Sequence, residues 1–437
     1  MMKLAGKRIL VVGMSRSGVA AAQLLMHNGA IPVLSDRKKE NAFTHELDEL
    51  KGTACEFRLG EDPVVLLDSV DGLVISPGVP IDAPVVTAAR ENGVPMVGEL
   101  ELAASLLNGD MVAISGTNGK TTTTTLLGKI FENAGRVTHV AGNIGYPLSA
   151  VALESRKEDM TVVEVSSFQL ESIKTFHPHV AALLNITEDH LNRHGTMAQY
   201  IRLKQRIFEN QTANDYAVLN MDDPTLVKMV PKIKSQVAFF SRTQPVENGA
   251  FVDNGKIVWQ WQGARRAICD ADQILIPGPH NLENALAATA MACALGVPAP
   301  VIRHTLQSFT GVEHRIEKVR VFEGVTYIND SKGTNVDSTI KAVQSMKVPT
   351  VILLGGYDKH TDFMPLCREM ITSGMIAHAV VMGETSRQIR EQLEEAGYTA
   401  ITQAYSMQDA VDKAHAAMRT ADYKNAEEGV SMAHSKQ

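Results

Sequence analysis

The run Met111-Val112-Ala113-Ile114-Ser115-Gly116-Thr117-Asn118-Gly119-Lys120-Thr121 decides how the rest of the chain is read. A short apolar strand breaks into a glycine turn, and a threonine-rich helical segment follows. Glycines let backbone N–H groups curl around phosphate oxygens, and the helix N-terminus adds the positive end of its dipole. Lys120 can then bridge β- and γ-phosphates while the Thr121 hydroxyl holds Mg²⁺, so Gly116, Thr117, Asn118, Gly119, Lys120 and Thr121 predict a nucleoside triphosphate site. The spacing is GxxGKT, two residues tighter than the general GxxxxGKT pattern. A capped glycine turn with a solvated lysine is the plainer alternative.

Outward from this loop, β-branched runs alternate with helical patterns along the whole length, the rhythm of βαβ units around parallel sheets. The expected class is α/β in three domains: a Rossmann-like domain over 1–98, a P-loop-type central ATPase domain with a mostly parallel sheet over 99–310, and a Rossmann-like domain over 311–437. Strands are expected at Arg8 to Val12, Ile31 to Ser35, Gly72 to Ser76, Thr161 to Val165, Val180 to Ile186, Ala217 to Asn220, Thr350 to Leu354 and Ala379 to Met382. Hairpins are expected at Asn254-Gly255 and Glu323-Gly324. After the helix Met407 to Met418 the sequence turns polar and weakly patterned, so the third domain is expected to lack its last strand and helix.

Composition narrows the partners. The chain has 437 residues, 44% apolar and 21% charged, which excludes wholesale disorder, collagen and coiled coil. With 42 Lys+Arg against 49 Asp+Glu the net charge is −7, giving no general attraction to nucleic acid. Cys55, Cys269, Cys293 and Cys367 form no CxxC pair, which argues against a disulfide framework or cysteine-based zinc and fits a reducing cytosol. No leader or membrane-spanning run stands out, and a cytoplasmic monomer is the expectation.

Further chemistry gathers at strand ends. Gly13-Met14-Ser15-Arg16-Ser17-Gly18, with Asp36 closing the next strand, resembles a dinucleotide fingerprint but carries Ser15 where the middle glycine belongs. It reads as a diphosphate cradle with Arg16 and Arg37 as phosphate partners, or as a tight turn alone. Glu164 and Glu188-Asp189-His190 follow strands whose ends fall beside the glycine turn, and Thr121 with Glu164 offers the hard oxygens that Mg²⁺ prefers. Asn281 is either a helix cap or an adenine contact. Asn329-Asp330-Ser331-Lys332-Gly333-Thr334-Asn335 is dense and polar after a strand, as binding loops are. Lys204 reads from pattern alone as a solvated helix lysine.

Taken together, GTNGKTT, VEVSSFQLE, NITEDHLNRHG, YIRLKQRIFEN, PGPHNLENALAA, HRIE, INDSKGTNVDST and LLGGYDK resemble the Mur ligase family, from about residue 5 to 420. The Asp-Ser-Lys-x-Thr-Asn loop is similar to that of its D-glutamate-adding branch. The resemblance implies an ATP-dependent amide ligase of peptidoglycan precursor synthesis that uses UDP-N-acetylmuramoyl-L-alanine and D-glutamate. It implies a uridine diphosphate site at Arg16, Ser17, Asp36, Arg37 and Ser76, with Asn143 reaching the sugar and His190 also facing this substrate. ATP would lie on Gly116 to Thr121, with Asn281, Asn284, Arg315 and Asp330 around the nucleoside. One Mg²⁺ would sit on Thr121 and Glu164 and a second near His190 and a carbamylated Lys204. Lys332, Thr334 and Lys359 would face D-glutamate, and Lys120, His190, Lys204 and Lys332 would carry the catalysis. The family's closing strand, Ser-Pro-Ala-Cys-Ala-Ser-type loop and helix are not recognisable after Glu427-Glu428-Gly429-Val430, so weakened glutamate binding is expected. The competing readings are an impaired UDP-sugar-nucleotide binding protein, a dinucleotide oxidoreductase, disfavoured by Ser15, and a GTPase, for which no Asn-Lys-x-Asp stretch exists.

Overall fold

Ile9, Leu10, Val11 and Val12 are all buried, so the Arg8–Val12 strand needs cover on both faces, which a parallel strand between helix layers provides. In the computed structural model, which describes residues 4–357, 361–419 and 430–434, it is the centre of a five-stranded parallel sheet. The order is Glu56–Leu59, Ile31–Asp36, Arg8–Val12, Gly72–Ile75, Met96–Gly98. Order reverses at the central strand, which opens a crevice beyond its carboxyl end, where Gly13 to Gly18 lies.

The middle sheet has nine strands: Ala264–Asp270, Lys256–Trp261, Gly249–Asp253, Gln236–Ser241, Tyr216–Asn220, Val180–Leu183, Asp110–Ser115, Met160–Glu164 and Thr138–Gly142. Pairing is parallel from Thr138–Gly142 to Gly249–Asp253, and the last two pairs are antiparallel. Asn254 and Gly255 make the hairpin turn with φ of 47° and 75°, as an Asn-Gly pair does readily. The helices Lys120–Asn133 and Pro279–Ala294 share one buried apolar cluster with this sheet. The strand expected to reach Ile186 stops at Leu183, because Asn185 and Thr187 turn to bind the glycine loop instead of a ladder.

The third sheet runs Glu317–Phe322, Val325–Asn329, Val430–His434, Thr350–Gly356, Ile376–Gly383, Ile401–Gln403. The expectation of a missing last strand is therefore wrong. Val430–His434 pairs in parallel with both Val325–Asn329 and Thr350–Gly356 and fills the middle of the sheet. Val-Ser-Met-Ala-His carries no apolar run, and only pairing on both edges makes it a strand. Nor is the preceding helix left bare, since Ala410, Ala414 and Met418 are buried against Val325, Val351, Leu353 and Val380. Among the described residues, no helix is long and apolar enough to cross a membrane.

Candidate active site

The loop Gly116–Gly119 leaves the Asp110–Ser115 strand and enters the Lys120–Asn133 helix, whose N-cap Gly119 has φ 82°. A Cβ at Gly119 would lie 2.2 Å from Asn284 Oδ1, so only glycine fits. The turn is held from the neighbouring strand end: Thr117 N donates to Asn185 O at 3.0 Å, and Asn118 N donates to Asn185 Oδ1 at 2.8 Å. Thr117 Oγ1 donates to Thr187 O at 3.1 Å and lies 3.1 Å from the Tyr200 hydroxyl.

Two lysines converge on one carbonyl. Lys120 Nζ donates to Gly116 O at 3.0 Å and to Thr117 O at 2.7 Å; Lys204 Nζ donates to the same Gly116 O at 2.8 Å and to Ser115 Oγ at 3.4 Å. Lys204 is 1% exposed, with Nζ 4.9 Å from the centre of the Tyr200 ring, which overturns the reading of a solvated helix lysine. Burial, reinforced by Lys120, pushes its pKa well below the ordinary lysine value. Burial lowers Lys120 too, with Glu164 and Asp189 opposing. An amphipathic helix hides such a lysine from pattern reading, although Tyr200, one turn earlier, is the same-face partner that a closer reading could use.

Beside the lysines, Glu164 ends its strand 1% exposed, accepting from Thr121 Oγ1 at 2.8 Å and from Asn143 Nδ2 at 2.9 Å. A hydroxyl and a buried carboxylate at a phosphate loop form a donor set that suits Mg²⁺, which completes its shell with phosphate and water. Among the described residues, no three His, Cys, Asp or Glu side chains group as a ready-made metal cage. His190, in the left-handed region at φ 54°, has Nε2 3.6 Å from Asp189 Oδ2 and its ring 4.8 Å from that of Phe168.

A narrow cleft lies between the middle and third domains, lined by Asn118, Gly119, Asn281, Asn284, Arg315 and Asp330 among others. Asn281 does not cap its helix, whose N-cap is Gly278; its Nδ2 donates to Pro277 O at 2.6 Å and its Oδ1 accepts from Asn284 Nδ2 at 3.1 Å. Burial raises Asp330 to about 6 against the opposing pull of Arg315, whose Nη1 is 3.8 Å away. Burial, then Lys341 and Arg315, lowers His280 in the same cleft to about 4. Lys332 and Thr334 lie on the loop between the Val325–Asn329 strand and the Val336–Ser345 helix, with Lys332 N bonded to His314 O at 3.1 Å. Lys359 falls outside the described residues.

In the first domain, Met14 N donates to Asp36 Oδ2 at 3.0 Å and Ser76 Oγ to Gly13 O at 3.0 Å. Asp36 and Arg37 line a cleft of about 470 Å³ there. Ser17 Oγ is 3.3 Å from Ser15 Oγ, and Arg16 Nη2 donates to Gly145 O at 3.0 Å, so the first turn abuts the Gly142–Gly145 segment of the middle domain. Asn143 is turned toward Glu164, the partner of Thr121. Asn185, Thr187, Tyr200 and Asp337 are site residues that were not singled out from the sequence.

Three family descriptions match successive parts of the chain: a Mur ligase MurD-like N-terminal domain over 7–98, a Mur ligase middle domain over 114–292 and a Mur ligase glutamate ligase domain over 314–423. The chain is 45% identical to the UDP-N-acetylmuramoylalanine--D-glutamate ligase of Alkaliphilus oremlandii, over 95% of this chain and 91% of that one. It is 43% identical to the protein of the same name from Caldanaerobacter subterraneus, over 99% and 93%. In fold it is similar to UDP-N-acetylmuramate-alanine ligase of Thermotoga maritima, with a TM-score of 0.61 at 17% identity over 98% of this chain and 95% of that one. MurF of Acinetobacter baumannii gives 0.63 at 18% over 99% and 88%.

Proposed function

This chain belongs to the Mur ligase family, and on that premise we propose that it joins D-glutamate to the alanyl carboxylate of UDP-N-acetylmuramoyl-L-alanine at the cost of ATP, in peptidoglycan precursor synthesis. It is an ATP-dependent ligase that forms a carbon–nitrogen bond. We assign residues 1–98 to the UDP substrate, 99–310 to ATP and 311–437 to the amino acid, in a monomeric cytoplasmic enzyme. The observation that carries this reading is the convergence of Lys120 and Lys204 on the Gly116 carbonyl beside the Thr121–Glu164 pair.

A carboxylate is a poor acyl donor, so its oxygen attacks the γ-phosphorus of ATP, ADP leaves, and an acyl phosphate forms. Lys120 offsets charge on the transferring group, and Lys332 approaches from the third domain. Thr121 and Glu164 would hold Mg²⁺, which would supply positive charge against the phosphate oxygens. The D-glutamate amine then attacks the acyl carbon, and the C–O bond to phosphate breaks as the amide forms. Asn281 and Asn284 face the base, while Arg315 and Asp330 approach the nucleoside from the domain junction. Closure over this cleft excludes the water that would hydrolyse the acyl phosphate.

Two crowded ammonium groups are an unstable arrangement, and a neutral Lys204 resolves it by adding CO₂: the amine nitrogen bonds to carbon and a proton departs. The resulting carbamate, with His190, would hold a second Mg²⁺. A carbon-13 carbamate signal that disappears in Lys204→Ala is the expected result, and its absence from the wild type in bicarbonate overturns this assignment.

Arg16, Ser17, Asp36, Arg37, Ser76 and Asn143 are assigned to the uridine diphosphate substrate, and Lys332, Thr334 and Lys359 to D-glutamate. The test is phosphate release with the UDP substrate, ATP and Mg²⁺. Release that requires D-glutamate and ignores L-glutamate is expected. Nucleotide binding without such release would favour an impaired binding protein, a reading that the ligase relatives do not support.

A further inference from the structure

The first turn of the Val336–Ser345 helix reaches across the domain junction to the phosphate loop. Asn118 Nδ2 donates to Asp337 Oδ2 at 2.5 Å, and Thr187 Oγ1 donates to the same oxygen at 3.4 Å. Asn335 caps the helix by accepting from Ser338 N at 2.8 Å, and its Nδ2 donates to Asn118 Oδ1 and Asp189 Oδ2, each at 3.3 Å. The third domain therefore holds the Asn118 amide at both ends.

Asn118 is a fixed anchor. Its backbone N–H and C=O are both bound by the side chain of Asn185, at 2.8 and 3.1 Å, and its side chain is almost entirely buried. Asp337, by contrast, has a weak reason to be where it is within its own domain: a one-turn pair with Lys341 at 3.0 Å on a half-exposed helix face and a place in the first helical turn. Neither of these aims a carboxylate at a phosphate loop. The helix start also follows directly on the Lys332–Asn335 segment, so whatever fixes Asp337 fixes the height of that segment above Gly116–Thr121.

We propose that Asp337 is a positioning residue that latches the third domain onto the phosphate loop through Asn118 and Thr187, setting Lys332 at the transferring phosphoryl group. The proposal rests on the ligase reading above. A loop displaced by about an ångström misaligns reacting groups, and misplacement on that scale is worth roughly ten- to a hundredfold in rate.

The test compares four variants of the full chain by steady-state kinetics, with small-angle scattering in the presence of a non-hydrolysable ATP analogue. Asp337→Ala should lower kcat at least about tenfold, leave KM for the UDP substrate within about twofold, and keep a larger radius of gyration with the analogue bound. Asp337→Asn retains an acceptor for Asn118 and should recover most of the turnover. Thr187→Val alone removes the longer of the two contacts and should lower kcat less than Asp337→Ala does. Thr187→Val added to Asp337→Ala should cost little further, as expected for partners in one contact. Wild-type kcat in Asp337→Ala, a loss in Asp337→Asn as large as in Asp337→Ala, or independent addition of the Thr187 effect overturns the latch. Wild-type protein that fails to ligate D-glutamate refutes the ligase reading instead, and the scattering difference then decides the latch alone.

Discussion

The molecule carries two glycine turns built on the same plan, and their surroundings differ. Gly13–Gly18 and Gly116–Gly119 each leave the carboxyl end of a parallel strand and enter a helix, Arg16–His27 in one case and Lys120–Asn133 in the other. In the first turn Met14 N is bound by Asp36, and Arg16 extends over the surface to Gly145 O. In the second, the lysine of the turn shares a carbonyl with a buried lysine from another helix, and the adjacent threonine bonds a buried glutamate from the next strand. A glycine turn provides room and a helix dipole for phosphate. Phosphoryl transfer requires in addition a carboxylate, which a neighbouring strand end delivers, and lysines, which the turn and a packed helix deliver.

Breaking the second turn should therefore abolish chemistry, and breaking the first should only loosen binding. Lys120→Met is expected to lower turnover by roughly a thousandfold, measured as D-glutamate-dependent phosphate release. Glu164→Gln should cost roughly a hundredfold and shift the Mg²⁺ titration to higher concentration, because a neutral amide is a poorer ligand. Arg16→Ala should raise KM for the UDP substrate by about tenfold with kcat nearly unchanged, since it removes binding without touching the transfer. Equal losses of kcat from Arg16→Ala and Lys120→Met would erase the distinction.

Two smaller effects sharpen the structural side. A Cβ at Gly18 would lie 1.9 Å from Gly13 O, so Gly18→Ala should destabilise the first domain by about 1–3 kcal/mol in denaturant melts while leaving the ATP site intact. Near the second turn, burial, with His190, Arg193 and Lys204 adding to it, lowers His194 to about 4. The folded state thus keeps it neutral where an unfolded histidine, near 6.5, gains a proton. Its contribution to stability is intact above pH 6.5 and is lost as pH falls toward 4, by at most about 1.4 kcal/mol per pH unit. His194→Gln should flatten that part of the stability curve.

The same contrast explains what could be read from the sequence. Strands that are apolar on both faces, such as Arg8–Val12 and Asp110–Ser115, announce themselves as short buried runs. Val430–His434 has no such run, because its place is set by pairing with two long-separated strands, and local pattern carries no record of that. Lys120 and Thr121 were legible because contiguous spacing encodes the turn. Lys204 was not, since a buried lysine and a solvated one look alike on an amphipathic helix, and only resemblance singled it out. Asn185 was absorbed into an over-long strand, and Thr187 and Asp337 were not marked, because each acts through contacts that only the tertiary fold makes. Asn281 was pulled toward capping by its position near a helix start, although Gly278 holds that place.

The central claim, that a triphosphate held at Gly116–Thr121 activates a carboxylate presented from the first domain, has a direct test. UDP-N-acetylmuramoyl-L-alanine labelled with oxygen-18 in its alanyl carboxylate should yield inorganic phosphate carrying one labelled oxygen when ATP, Mg²⁺ and D-glutamate are supplied. Released phosphate that is unlabelled while the amide forms would contradict it.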